Sequence, residues 1–157
     1  MMEQKFFVTC LMVKNGEILM LQKEKGRHIG SWLFPGGEIK DHESPLDTVK
    51  REILRDTGLS LNNLELRGIV HFMMQPNPED DVLAKTTLYV FYSEDFSGEQ
   101  TASNKGKLEW IPLDEIWDRP VGRNDKLFVP PMLEKQQVTF ARFYHNRDKT
   151  LVRYLID

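Results

Sequence analysis

The segment from Gly37 to Leu59 constrains this chain more than any other stretch. Two consecutive glycines, Gly36-Gly37, follow Pro35 and read as a tight turn where the backbone can come close to a neighbour. Ser44-Pro45 then opens a helix, with Ser44 as N-cap and Pro45 at the first helical position. Leu46, Val49, Ile53 and Leu54 fall at spacings of three and four, which predicts the apolar stripe. Gly58 ends the helix as a C-terminal cap. Glu52 and Asp56 lie four apart on this helix and project from one face. Glu43 precedes the helix, and Arg51 adjoins Glu52.

Two carboxylates beside a backbone carbonyl offer oxygen-only ligation. That chemistry suits a hard cation, Mg²⁺ or Mn²⁺, which commonly bridges protein carboxylates and phosphate oxygens. An isolated acidic pair at this spacing is more often a solvated helix face, so the surrounding segment has to decide between the two readings.

Around this helix the chain reads mostly as strands. Lys5 to Val13 and Glu17 to Gln22 flank Asn15-Gly16, a strong hairpin signal because both turn positions need positive φ. Lys23 to Ser31 is a polar loop, and Trp32-Leu33-Phe34 is a short apolar piece. Leu64 to Met74 and Leu83 to Tyr92 read as strands joined by the exposed acidic loop Gln75 to Asp81. Lys107 to Ile111 is a short strand, followed by a helical turn over Leu113 to Trp117. Pro130 to Gln136 is expected to open a second helix, and Val138 to His145 pairs with Thr150 to Ile156 as a terminal hairpin. The pattern implies a single α+β domain over residues 1–157, built around a mixed sheet.

A net charge of -3 argues against stable nucleic-acid binding, which needs a basic excess to displace counterions. It leaves room for a small nucleotide. Cys10 is the one cysteine, so an intramolecular disulfide is impossible, and its apolar run implies a buried inert thiol. No apolar stretch approaches the roughly 20 residues of a membrane span. With no signal peptide evident, the expectation is a cytoplasmic protein. The four histidines show no zinc spacing.

The segment from Gly37 to Leu59 resembles the Nudix box: Gly, five residues, Glu, seven residues, Arg-Glu, an apolar residue, any residue, Glu-Glu, any residue, Gly, an apolar residue. Gly37, Glu43, Arg51, Glu52, Ile53, Gly58 and Leu59 match seven of its nine fixed positions. Trp32 through Gly37, Leu108 to Leu113, Asn124-Asp125, Pro130 and the final hairpin extend the resemblance to the MutT-like, 8-oxo-dGTP diphosphatase branch. It implies the Nudix fold, a mixed β-sheet sandwiched between helices. The implied reaction is water attack on the diphosphate linkage of a nucleoside di- or triphosphate, with Mg²⁺ or Mn²⁺ as cofactor.

By the same resemblance Glu52 is a metal ligand or general base, and Asp56 a metal ligand. The carbonyl of Gly37, or of Gly36, completes the shell. Glu43 and Arg51 brace the loop against the helix, with Arg51 at the catalytic centre. Gly36 and Gly58 are structural in the motif. Asp125 is expected to hydrogen-bond a purine edge beside Asn124. Trp32 is a candidate to stack on the base, and Phe72 a candidate to line the pocket. Leu33 stands where the oxidised-purine branch often carries a polar residue.

Two charged positions depart from the pattern. Arg55 replaces a glutamate that ligates metal in relatives, and Lys105 aligns with a later glutamate. Glu99 and Glu109 are nearby candidates to substitute for the second. Asp56 is one methylene shorter than the usual Glu. Two cations near a metal add repulsion. They also open an alternative, in which Arg55 and Lys105 bind phosphate themselves and the domain holds a nucleotide with little or no hydrolysis. The sequence leaves the oligomeric state open between monomer and homodimer.

Overall fold

The computed structural model describes residues 2–157. Its first strand organises the rest. Strand β1 (Glu3–Lys14) runs parallel to β6 (Ala84–Ser97) along one edge. On its other edge it forks. Its first half pairs with the three-residue strand β4 (Gly36–Glu38), and its end turns through Asn15-Gly16 into β2 (Glu17–Lys23). Both turn residues have positive φ, as the hairpin signal required. Strand β2 also pairs with β3 (Trp32–Leu33) and β7 (Gly106–Pro112), making a small antiparallel wing. Beyond β6 the main sheet continues through β5 (Ser60–Met74), β8 (Thr139–His145) and β9 (Leu151–Ile156). The β1–β6 and β5–β8 pairs are parallel and their neighbours antiparallel, so the sheet is mixed.

Alternation along β1 sends residues to two cores. Val8, Cys10 and Met12 pack with Val49 and Ile53 of helix α1 (Pro45–Thr57). Leu11 and Val13 pack on the opposite face with Phe128, Val129 and Met132 of helix α2 (Asp125–Glu134). One helix therefore covers each face, the expected α/β/α sandwich. Cys10 is fully buried, and burial pushes its thiol well up. Among the described residues, no helix is long and apolar enough to cross a membrane.

Helix α1 begins with a reciprocal cap. Ser44 Oγ accepts from Asp47 N–H at 3.1 Å, and Asp47 accepts from Ser44 N–H at 3.2 Å. Gly58 closes it in the left-handed region, φ 79°. The expected apolar stripe is half right. Val49 and Ile53 are buried, but Leu46 and Leu54 are 44% and 52% exposed. The buried face runs instead through Thr48, Glu52, Asp56 and Thr57. The helix turns its acids inward and two leucines outward, so the acidic pair is no solvated coat.

Two further expectations need correction. Pro35-Gly36-Gly37 is not a tight turn, because Gly36 and Gly37 belong to strand β4 and neither has positive φ. A Cβ on Gly36 would collide with the Val8 carbonyl. Close strand approach, and not a turn, accounts for the glycine there. Helix α2 starts at Asp125, with Pro130 and Pro131 inside it and not at its start. The expected helical turn after β7 is present as a short 3₁₀ helix over Leu113–Asp118.

The inward rotation of α1 has a measurable consequence. Ile53→Ala should cost roughly 2–5 kcal/mol, and Leu54→Lys should stay within about 0.5 kcal/mol. Urea unfolding of the two variants checks this, and equal losses would contradict the orientation.

Candidate functional site

The site lies where β4 separates the two faces of the sheet. On the α1 side, Glu52 and Asp56 are each 4% exposed. Glu52 packs onto Gly37, where a Cβ would occupy the space of its carboxylate. No residue but glycine leaves that room. Glu43 accepts from Arg51 Nε at 2.5 Å and Nη2 at 2.8 Å, a bidentate pair. Thr48 Oγ1 and the Lys40 N–H also donate to it, at 3.1 and 3.2 Å. Those contacts, the Arg51 bonds foremost, hold the Glu43 carboxyl down to about 2 and raise the Arg51 guanidinium. Arg51 Nη1 further reaches Glu52 Oε1 at 3.3 Å. The brace expected of Glu43 and Arg51 is therefore present and leads directly to Glu52.

Arg55 and Lys105 enter the same cluster. Arg55 Nη2 donates to Glu52 Oε2, while its Nε stands 3.6 Å from Asp56 Oδ1. Lys105 Nζ donates to Asp56 Oδ2 at 2.9 Å and to the Gly36 carbonyl at 3.1 Å, and stands 3.7 Å from Glu52 Oε2. The loop before β7 carries Lys105 there because it is pinned to the end of α1. Thr101 N–H donates to the Thr57 carbonyl at 2.8 Å, and Gly58 leaves space for the Glu99 carbonyl. Three carboxylates thus face three cations.

The α2 side of β4 holds a cavity of about 400 Å³. Phe7, Thr9 and Leu11 of β1, Phe72 of β5, and Phe128 of α2 form its mostly apolar walls. Gly36 and Gly37 form its edge toward the charged cluster. Asp125 is the carboxylate among its lining residues, and burial pushes its carboxyl up to about 6. Phe72 is held in place by stacking on Phe143, centroids 5.5 Å apart, and by an edge contact with Phe128.

Several sequence-predicted residues converge, and others do not. Gly36, Gly37, Glu43, Arg51, Glu52, Arg55, Asp56 and Lys105 form the charged cluster, and Phe72 and Asp125 line the cavity. Asn124 sits one step outside, its side-chain amide 3.2 Å from His145 Nε2, in a second depression it shares with Phe72 and Asp125. Trp32 is a correction. It is 6% exposed, packed in the α2-side core under the Arg119 guanidinium, and does not line the cavity. Its backbone N–H donates to the Pro120 carbonyl at 2.8 Å, and its ring packs into the core. Leu33 and Phe34 face the cavity in its place. Neither Glu99 nor Glu109 joins the cluster: Glu99 is exposed, and Glu109 pairs with Arg119 at 3.1 Å. Thr9 was missed. It lines the cavity and donates to the Pro35 carbonyl at 2.9 Å, anchoring the β3–β4 connection. A polar residue at an inward position of an apolar strand was its one sequence signal.

A divalent ion does not fit this arrangement. The oxygen set that would receive it, the Gly36 carbonyl with Asp56 and Glu52, already surrounds the Lys105 ammonium. The carbonyl that points there is that of Gly36 and not of Gly37. Among the described residues no group of three or more acidic, histidine or cysteine side chains could hold a metal.

A NUDIX domain model matches residues 4–131. The chain belongs to the Nudix family. It is 26% identical over 149 residues to the uncharacterized Nudix hydrolase YvcI of Bacillus subtilis, covering 94% of this chain and 91% of that one. It is also 26% identical to the oxidized purine nucleoside triphosphate hydrolase of Mus musculus, covering 96% and 94%. The crystal structure of a MutT protein from Bacillus halodurans superposes with a TM-score of 0.84 at 32% identity, covering 98% and 97%. Nudix hydrolases generally act on diphosphate bonds of nucleotides and typically use divalent metal ions.

Asp125 gives this site a pH signature. Its carboxyl rises from 3.8 to about 6 on folding, so the fold favours the neutral form. The stability this contributes is complete below about 3.8 and is lost as pH rises to about 6. Asp125→Asn should therefore be the more stable protein near neutrality, by up to about 3 kcal/mol. The difference from the parent chain should shrink as pH falls from 6 toward 4. Thermal unfolding of both proteins across that range checks it, and a pH-independent difference would contradict the burial of this carboxyl.

Proposed function

We propose that this Nudix domain binds a nucleoside di- or triphosphate, with the base in the α2-side cavity and the phosphates at the charged end of α1. The supporting observation is continuity. Gly36 and Gly37 edge the cavity, and the same two residues touch Lys105 and Glu52. A ligand with a flat apolar body and an anionic tail suits both compartments at once. Phe72 offers the base an aromatic surface. Asp125 offers its polar edge an acceptor when ionised and a donor when neutral. The tail meets Arg55, which is half exposed, and the Lys105 ammonium. Relatives matching nearly the whole chain that hydrolyse oxidised purine nucleoside triphosphates support a purine as the base.

A second reading, hydrolysis of the diphosphate linkage to the monophosphate, is favoured by Glu52. It keeps the position of the family's metal ligand or base, and its carboxylate adjoins the glycine edge of the cavity. Arg55 and Lys105 stand against it, because both carboxylates already hold cations. What this chain's own residues supply is charge neutralisation of the tail and fixation of the base. Nucleotide recognition is the conclusion, and turnover through Glu52 is secondary to it.

Calorimetry over a panel of purine and pyrimidine nucleoside triphosphates tests the reading. At least one purine triphosphate should bind, and Phe72→Ala should weaken it on the order of 10-fold through lost stacking. No binding by any member would sink it. Phosphate release measured with added pyrophosphatase separates the second reading. Turnover that vanishes in Glu52→Gln would put hydrolysis first.

A further inference from the structure

Lys105 stands where two carboxylates and a carbonyl converge, and the rest of the fold holds it there. Its ammonium has three donors. One goes to Asp56 Oδ2 and one to the Gly36 carbonyl, while Glu52 Oε2 lies 3.7 Å away. These are the oxygens that box chemistry offers a hard cation. The third donor remains for a further acceptor. The side chain is half-buried, and its loop is tied to α1 through Thr101. Glu52 Oε2 is also committed to Arg55, and its Oε1 to Arg51. The acids therefore leave no surplus negative charge for a metal to neutralise.

We infer that the Lys105 ammonium is a covalently tethered replacement for the divalent cation, so that this site holds its phosphate ligand without a metal ion. The part concerning the phosphate ligand rests on the nucleotide-binding reading. The part concerning metal exclusion does not. A tethered cation competes with a free one at an effective concentration on the order of millimolar or more. A divalent ion entering the site has to displace the ammonium and then remain beside it. Arg55 adds a second cation beside Glu52, whose repulsion an entering metal would also meet. The replacement is chemically unequal. An ammonium carries no open coordination position, so it neutralises a phosphate oxygen but cannot bind and acidify a water as a metal does. Exclusion of the metal and loss of the water activation it supplies then share one cause, the cations that occupy its place.

Titration with Mn²⁺ alone, followed by the loss of its free-ion EPR signal, tests metal exclusion without any nucleotide. The parent chain should show no saturable site. Lys105→Met removes the charge and should create one. Arg55→Glu combined with Lys105→Glu should bind Mn²⁺ on the order of 100-fold more tightly than Lys105→Met. Thermal unfolding confirms that each variant is folded, and the parent and Lys105→Met suffice if the double variant is not. Saturable Mn²⁺ binding by the parent, as tight as that of Lys105→Met, would overturn the inference. ATP and dGTP binding by the parent should have the same Kd in EDTA and in Mn²⁺. A Kd that improves several-fold with Mn²⁺ would overturn it as well. If neither nucleotide binds under either condition, the nucleotide-binding reading fails and the Mn²⁺ titration still decides the role of Lys105.

Discussion

Glu52 rests against the backbone of Gly37 in space that any side chain would fill. That contact sets the distance between α1 and the edge of the sheet. It brings the buried acids of the helix within reach of the Gly36 carbonyl, and it keeps β4 thin enough to separate the cavity from the charged cluster without closing one off from the other. The neighbouring glycine works in the opposite direction. Gly36 presses onto the Val8 carbonyl, so β4 is held against β1 from behind. Two adjacent residues without side chains thus join three layers, helix, edge strand and central strand, at one place.

Burying Glu52 and Asp56 at 4% exposure would be costly without partners. In this chain the partners are internal. Arg51 serves Glu43 and reaches Glu52, Arg55 serves Glu52, and Lys105 serves Asp56. Each carboxylate has at least one cation, so the cluster is neutral as folded. A box with glutamates at positions 55 and 105 would instead carry excess negative charge, which an outside cation would have to balance. The two departures from the family pattern therefore act together. Changing only one would leave the cluster unbalanced, whereas both restore neutrality by a different route.

Much of this was legible in the sequence, and the failures are instructive. Ser44-Pro45 and Gly58 located the helix because caps are local chemistry. The hairpin at Asn15-Gly16 was legible for the same reason. The helix's rotation was not. Leu46 and Leu54 look like core residues by type, yet Glu52 and Asp56 take the inner face because cations from other segments make their burial tolerable. Trp32 failed similarly. Its size suggested a base platform, but its ring packs into the core under Arg119, and Phe72 takes the cavity wall. Both errors concern which side of an element faces which layer, and long-range contacts decide that.

Spacing within the box located every charged residue of the cluster except Lys105, which alignment with a distant position supplies as a cation that either repels a metal or binds phosphate. Its place depends on a loop anchored by Thr101 to the end of α1, 44 residues back along the chain at Thr57. That anchor reuses the carbonyl left free at the end of the helix. The cap that ends α1 thereby also fixes the loop that delivers the ammonium to Asp56. Gly58 has two duties in consequence, the left-handed turn and the close approach of the Glu99 carbonyl. A feature read from sequence only as a helix stop is also what brings the replacement cation into register with the acids.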